Sequence, residues 1–353
     1  MGKTFPGQIR LMDNPRPTFP GEMALIEALA REFGTPPPPV VLGIGDDCAA
    51  LAVDGGRYLL WTIDTLTEGV HFDLSYMSLA QLGWKALAVN VSDIGAMGGE
   101  PRYALLALGW PPQRDRTGAL ELARGLQQAA REFGVAIIGG DTVSSPGGVA
   151  ITLTVTGWVP EQEMVRRSGA RAGDLIHVTG VLGEAAAGLE ILKNRVKLKP
   201  AMKDPLIQAH LTPRPQHQAG RLLARRGLAT AMIDLSDGVA TDLFHICRAS
   251  GVGARLEAER VPASPLVKAA APLLNQDPLD LALKGGEDYQ LLFTSPPEKQ
   301  GALFRAFTQA GLPPPLPLGE VTAGDRVLLV TERGEEDISG AGFDHFRGGA
   351  VSS

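Results

Sequence analysis

Short apolar runs alternate along the chain with stretches of helical periodicity, and most runs close on glycine or aspartate. Residues 22–33 carry a helical pattern that Gly34 and the run of prolines at 36–39 stop. Apolar residues predict strands at 40–44 and 58–63, the first ending at Gly45-Asp46-Asp47 and the second at Asp64-Thr65. Ser78 is a suitable N-cap for a helix through Leu82, Ala86 and Val89 that runs into Asn90-Val91-Ser92-Asp93. A strand at 102–110 and a helix at 117–133 follow, with Leu120, Ala123, Leu126 and Ala130 on one helical face. Residues 135–138 read as a buried strand ending at Gly139-Gly140-Asp141, and 149–159 as a long β-branched one.

A polar segment rich in Arg and Gly at 160–173 marks a boundary, after which the alternation restarts. Strands are expected at 175–178, 229–233, 252–256, 289–293 and 326–330, and helices at 184–192, 216–226, 239–249 and 298–310. Between the helices at 184–192 and 216–226, the chain up to Pro215 reads as a polar connection. Mixed strands and helices in both halves predict an α/β (α+β) chain of two domains, 21–160 and 161–346. A proline-bearing arm at 1–20, expected to be flexible, precedes them, and a short tail at 347–353 follows. There is no short-period repeat.

Composition sharpens this picture. In 353 residues, 43 Gly and 27 Pro stand mostly singly or paired between apolar runs, which marks tight loops. Hydrophobic content of 44% against 20% charged residues excludes wholesale disorder. A net charge of −6 argues against a general nucleic-acid or anionic-membrane binder, both of which need a basic face. Two cysteines, Cys48 and Cys247, provide neither a disulfide framework nor a thiolate metal site. With no signal-peptide core and no apolar run long enough to span a bilayer, a soluble cytoplasmic protein is expected.

The chemistry resides in a recurrence. Aspartate follows an apolar run in Gly43-Ile-Gly-Asp-Asp47, Ile63-Asp64-Thr65, Val91-Ser92-Asp93, Gly139-Gly140-Asp141-Thr142 and Ile233-Asp234-Leu-Ser236-Asp237-Gly238, and Gly285-Gly286-Glu287-Asp288 adds a sixth case. Each alone is readable as a helix cap or a turn. Together, carboxylates beside apolar residues require something that offsets their desolvation, and an oxygen-only donor set with flanking glycines suits Mg²⁺ and the phosphates it accompanies. Gly2-Lys3-Thr4 lacks the strand and first glycine of a P-loop, and Gly43-Ile-Gly45 lacks the third glycine of a dinucleotide fingerprint. His71 is readable as structural or as a ligand contact, Arg166-Arg167 as a solvated pair or a phosphate clamp, and Phe343 as tail packing or a stacking face.

The ordered set Gly43-Ile-Gly-Asp-Asp-Cys-Ala, Thr62-Ile-Asp-Thr, Gly69-Val-His-Phe, Ala88-Val-Asn-Val-Ser-Asp, Ile138-Gly-Gly-Asp-Thr, Arg167-Ser-Gly-Ala, Ile233-Asp-Leu-Ser-Asp-Gly and Gly285-Gly-Glu-Asp-Tyr resembles the thiamine-monophosphate kinase family over nearly the whole chain. That resemblance implies the two-domain fold of aminoimidazole ribonucleotide synthetase, with mixed sheets and flanking helices, and a homodimer whose N-terminal sheets pack together. It implies transfer of the ATP γ-phosphoryl group to thiamine monophosphate, the last step of thiamine diphosphate biosynthesis. The family's several magnesium ions imply ligands at Asp47, Thr62, Asp64, Asp93, Asp141, Asp234 and Asp237. ATP contacts fall on Gly140, Asp141, Arg167 and Ser236, and substrate contacts on His71, Glu287 and Phe343. Ile63 stands where relatives can have a hydroxyl residue, so a metal ligand there is a backbone carbonyl, and Phe343 replaces a frequent Trp or Tyr.

A phosphate monoester with a second pKa of about 6 is already a nucleophile at neutral pH, so no general base is expected and transfer is direct and in-line. The rival readings are other synthetases of this fold and a non-catalytic Mg–nucleotide sensor. Selenophosphate and hydrogenase-maturation types carry a reactive N-terminal or C-terminal cysteine, which this chain lacks. The sensor differs from a kinase in showing no turnover.

Overall fold

The computed structural model of the chain describes residues 21–342; the arm at 1–20, Phe343 and the tail lie outside them. Helix α1 (Glu22–Phe33) forms where the periodicity predicts it.

The first sheet comprises β1 (Val40–Leu42), β2 (Ala49–Val53), β3 (Arg57–Thr67), β4 (Glu100–Trp110), β5 (Ala136–Ser144) and β6 (Ala150–Pro160), in the spatial order β1-β2-β3-β6-β4-β5. Neighbours are antiparallel except β4 and β5, which run parallel. The long ladder between β3 and β6, from Arg57↔Pro160 to Thr67↔Ala150, fixes which side chains face inward. On β3 this turns Leu60, Thr62 and Leu66 inward while Trp61, Ile63 and Thr65 stay exposed. Helices α2 (Leu79–Ala96) and α3 (Arg116–Phe133), packed on one another, cover the inner face and close a core that includes Leu60, Leu82, Leu87, Leu122 and Leu153. Ser78 caps α2 in a reciprocal box with Gln81, as its residue type predicts.

The second sheet is built from β7 (Leu175–Val178), β8 (Ala231–Asp234), β9 (Gly253–Glu257), β10 (Leu291–Ser295), β11 (Leu316–Thr322), β12 (Val327–Thr331) and β13 (Gly334–Asp337), ordered β13-β12-β9-β11-β7-β10-β8. Pairing is antiparallel except between β9 and β12. One core gathers this sheet with α4 (Glu184–Asn194), α5 (Pro200–Leu211), α7 (Val239–Ser250), α8 (Pro265–Ala270) and α9 (Pro278–Lys284). Another joins Met232, Leu291 and Phe293 to α6 (His217–Arg225) and α10 (Gln300–Gln309), and includes Ala96 at the end of α2. The layers touch closely there: a Cβ on Gly220 would lie 2.0 Å from the Gly95 carbonyl oxygen, so only glycine allows α6 to rest on α2.

Two sequence expectations change. The strand read as buried at 135–138 is mostly exposed at the sheet edge, and it continues through Gly139, Gly140 and Asp141 to Ser144, because the parallel ladder with β4 supplies hydrogen bonds as far as Trp110↔Ser144. The connection read as polar before Pro215 contains α5, whose Pro200 and Pro205 hide a helix that buries Leu206, His210 and Leu211. No helix among the described residues is long and apolar enough to cross a membrane.

Candidate active site

Three of the expected aspartates converge from separate parts of the chain. Asp47 lies between β1 and β2, Asp93 in the last turn of α2, and Asp234 at the final residue of β8. One carboxylate oxygen from each lies within 4.8 Å of the others. Asp47 and Asp234 are buried, and Asp47 Oδ2 accepts no hydrogen bond among the described residues. A buried, unpartnered carboxylate oxygen beside two further carboxylates is costly in the protein alone and fits a hard cation.

Neighbouring groups extend the cluster. Thr62, inward on β3, donates its hydroxyl to Asp93 Oδ2 at 2.5 Å, and the Asp64 carboxyl, two residues on, is a neighbour close enough to repel that of Asp93. Burial pushes all four carboxyls up, and repulsion from neighbouring carboxylates adds to it for Asp234, raised to about 8, and for Asp93, well above the ordinary range; burial alone raises Asp64 to about 6, and it raises Asp47 against the opposing pull of Arg167. The cation now beside them is Arg167, whose Nη2 donates to Asp47 Oδ1 at 2.7 Å and Nε at 3.2 Å. Its backbone N–H donates to both Asp46 carboxylate oxygens, and Ser250 receives the N–H groups of Gly169 and Ala170, so the Arg167 loop is fixed at both sides.

Two further loops meet at this end of the second sheet. Ser236 and Asp237 follow β8, and the Asp242 carboxylate of α7 accepts from the Asp237 and Gly238 N–H groups, which sets the loop's shape. The Glu287 N–H donates to Ser236 O at 2.8 Å and the Tyr289 N–H to Leu235 O at 2.9 Å. A Cβ on Gly286 would stand 2.2 Å from Ser236 O, which is why glycine precedes Glu287. Glu287 itself takes a left-handed backbone with φ 69°, rare for a residue with a side chain. Asp288 turns the opposite way and accepts from the Gly183 and Ala185 N–H groups at the start of α4.

The remaining expected residues are placed differently. Gly140 and Asp141 lie on edge strand β5, exposed, and Asp141 is not one of the three close carboxylates. His71 sits on the turn after β3, its Nδ1 accepting from the Thr67 N–H at 3.1 Å. Ile63 points away from Thr62, exposed on the outer face of the sheet. Phe343 is outside the described residues. The idea that apolar elements stop at these aspartates holds for Asp234 but not for Asp64, Asp93 or Asp141, which lie within β3, α2 and β5.

Two groups went unnoticed in the sequence. Lys85 Nζ, fully buried on α2, lies 2.5 Å from Glu287 Oε1, and His210 Nδ1 of α5 lies 2.9 Å from Oε2. A lone lysine in the apolar run from Leu82 to Val91 was the legible signal.

Comparison with known proteins agrees with this architecture. Residues 45–159 match the family model described as AIR synthase related protein, N-terminal domain, and residues 171–331 match the corresponding C-terminal domain. Thiamine-monophosphate kinase of Escherichia coli (strain K12) is 40% identical over 329 residues, covering 92% of this chain and 98% of that protein. The enzyme of that name from Salmonella typhimurium is 38% identical over 328 residues, with the same coverages. A solved structure described as AaThiL complexed with AMPPCP and TMP superposes with a TM-score of 0.78 at 32% identity, over 90% of this chain and 96% of that one. With this identity sustained over nearly its full length, the chain belongs to the thiamine-monophosphate kinase family.

Proposed function

We propose that the chain transfers the γ-phosphoryl group of ATP directly to the phosphate of thiamine monophosphate, in-line and dependent on Mg²⁺, as the last step in making thiamine diphosphate. The observation that carries this reading is the convergence of Asp47, Asp93 and Asp234 in a member of this family. Their oxygen-only donor set and the unpartnered Asp47 Oδ2 suit Mg²⁺, with Thr62 and Asp64 alongside. Asp237 and Asp141 complete the proposed ligand set. The ions would supply neutralisation and alignment of two phosphate groups that otherwise repel.

The protein's own residues then position the reactants. Arg167, with Gly140, Asp141 and Ser236, binds the nucleotide; leaving Asp47 frees the guanidinium's planar fork for phosphate oxygens. His71, Glu287 and Phe343 hold the thiamine phosphate. No side chain need remove a proton, because the attacking phosphate is largely dianionic at neutral pH. Residues 21–160 and 161–346 act as two domains of a soluble, cytoplasmic homodimer. Its interface is the outer face of the first sheet, where Trp61, Ile63, Tyr103, Leu105 and Ile138 form an exposed apolar surface.

The test is formation of ADP and thiamine diphosphate from ATP and thiamine monophosphate, with free thiamine as control. Turnover is expected only with the phosphorylated substrate, and nucleotide binding without turnover would make the chain a sensor.

A further inference from the structure

The Lys85–Glu287–His210 group joins three elements: α2, which also carries Asp93, helix α5, and the loop before β10. Lys85 is 0% exposed, and its ammonium meets the Glu287 carboxylate. Such a buried pair is weak evidence for stability, since apolar residues of similar volume commonly serve a fold as well or better. The neighbours of Lys85 on α2, including Trp84, Ala86 and Leu87, are buried and apolar, so packing alone does not require a cation there.

The backbone explains what the pair accomplishes. Glu287 is held in a left-handed conformation by its own N–H on Ser236 O, by Gly286 pressed against that oxygen, and by the Asp288 clamp on α4. Strain of this kind persists where the surroundings over-determine the residue, and it concentrates at ligand sites. Burial pushes the His210 pKa down and so favours the neutral ring, and the tautomer with its hydrogen on Nδ1 is the one that suits the Oε2 atom 2.9 Å away. Each Glu287 oxygen therefore lies beside one buried nitrogen, at 2.5 and 2.9 Å, while 27% of the side chain remains exposed.

We propose that Lys85 and His210 are positioning residues that lock the Glu287 carboxylate in one orientation, so that its open lone pairs accept a hydrogen bond from an N–H donor on the substrate's ring system. Because the Lys85 charge already balances Glu287, the site selects a directional donor and not a net positive charge. The inference rests on the reading of Glu287 as a substrate contact and deepens it.

The experiment measures KM for thiamine monophosphate and for ATP separately in the full-length protein. Lys85→Met keeps the apolar stem and removes the charge; it is expected to raise KM for thiamine monophosphate by about 10- to 30-fold, with KM for ATP within about twofold. Glu287→Gln should raise the same KM, and the double variant should be no worse than the poorer single one. An unchanged KM in Glu287→Gln overturns the substrate contact itself. A raised KM in Glu287→Gln beside a normal one in Lys85→Met overturns the positioning role alone.

Should Lys85→Met fail to fold, His210 gives the same answer. His210→Asn places an amide N–H near the position of Nδ1–H, and His210→Leu removes it. Asn is expected to retain most of the affinity for thiamine monophosphate and Leu to lose about 3- to 10-fold. Equal values in the two variants overturn the proposal.

Discussion

Replacing Asp234 by Asn should stabilise the protein when metal is stripped away, while abolishing its activity. In the folded chain burial and the nearby Asp47 carboxylate raise the Asp234 pKa from 3.8 to about 8. Well below pH 3.8 the group is protonated in both folded and unfolded chains and has no effect. As pH rises past 3.8 the unfolded chain releases the proton and the folded chain keeps it, so stability falls continuously until the folded group also ionises near 8. At pH 7 that linkage amounts to about 4 kcal/mol of destabilisation. Asn escapes it but must bury an amide in the same place, which returns about 1–2 kcal/mol. A net gain of about 2–3 kcal/mol, or roughly 5 °C in Tm, is expected for Asp234→Asn in chelator at pH 7. Thermal unfolding of both proteins at pH 7 and near pH 4 measures it, and the gain should vanish at the lower pH. Added Mg²⁺ should raise the Tm of the parent protein more than that of the variant. A variant less stable than the parent at pH 7, or a gain that is the same at both pH values, would refute the electrostatic account of the cluster.

Other perturbations probe the parts around it. Ile63→Asp places a charge on the exposed apolar face of the first sheet, where Ile63 is 66% exposed, and should convert the proposed dimer to a monomer in sedimentation velocity; a parent that is monomeric rejects the dimer, and an unchanged dimer rejects that face as the interface. Gly125→Ala would set a Cβ 1.8 Å from the Ala80 carbonyl oxygen, forcing α2 and α3 apart; urea unfolding should show a loss of at least about 3 kcal/mol, and a neutral result would contradict the packing. Asp288→Ala removes the acceptor for the Gly183 and Ala185 N–H groups and should cost about 1–3 kcal/mol, read by the same method.

Much of this was legible in the chain, for identifiable reasons. Helices such as α3 and strands such as β6 have strong periodicity or β-branched runs, and they occur close to where the pattern puts them. Short or interrupted elements did not announce themselves: α5 contains two prolines, and β2 has only five residues, dominated by alanine. The aspartates of the cluster were visible as a recurrence, but their convergence depends on sheet pairing and on the close approach of Gly95 and Gly220, which no local pattern encodes. Glu287 and Asp288 are adjacent and chemically alike, yet a backbone turn sends one to Lys85 and His210 and the other to the start of α4. Lys85 and His210 carry no local pattern, because a single polar side chain gains meaning only when its partner, some two hundred residues on in the case of Lys85, is folded against it.

The central claim is that the carboxylate cluster serves phosphoryl transfer from ATP to thiamine monophosphate, and one coupled measurement tests it most directly. Thiamine diphosphate and ADP are quantified in Mg²⁺ for the parent protein and for Asp93→Asn, with circular dichroism and Tm confirming that the variant is folded. The account predicts equimolar products from the parent and a loss of at least about a thousandfold in the variant. Near-parental turnover in a folded Asp93→Asn, or no thiamine diphosphate from the parent, would contradict it.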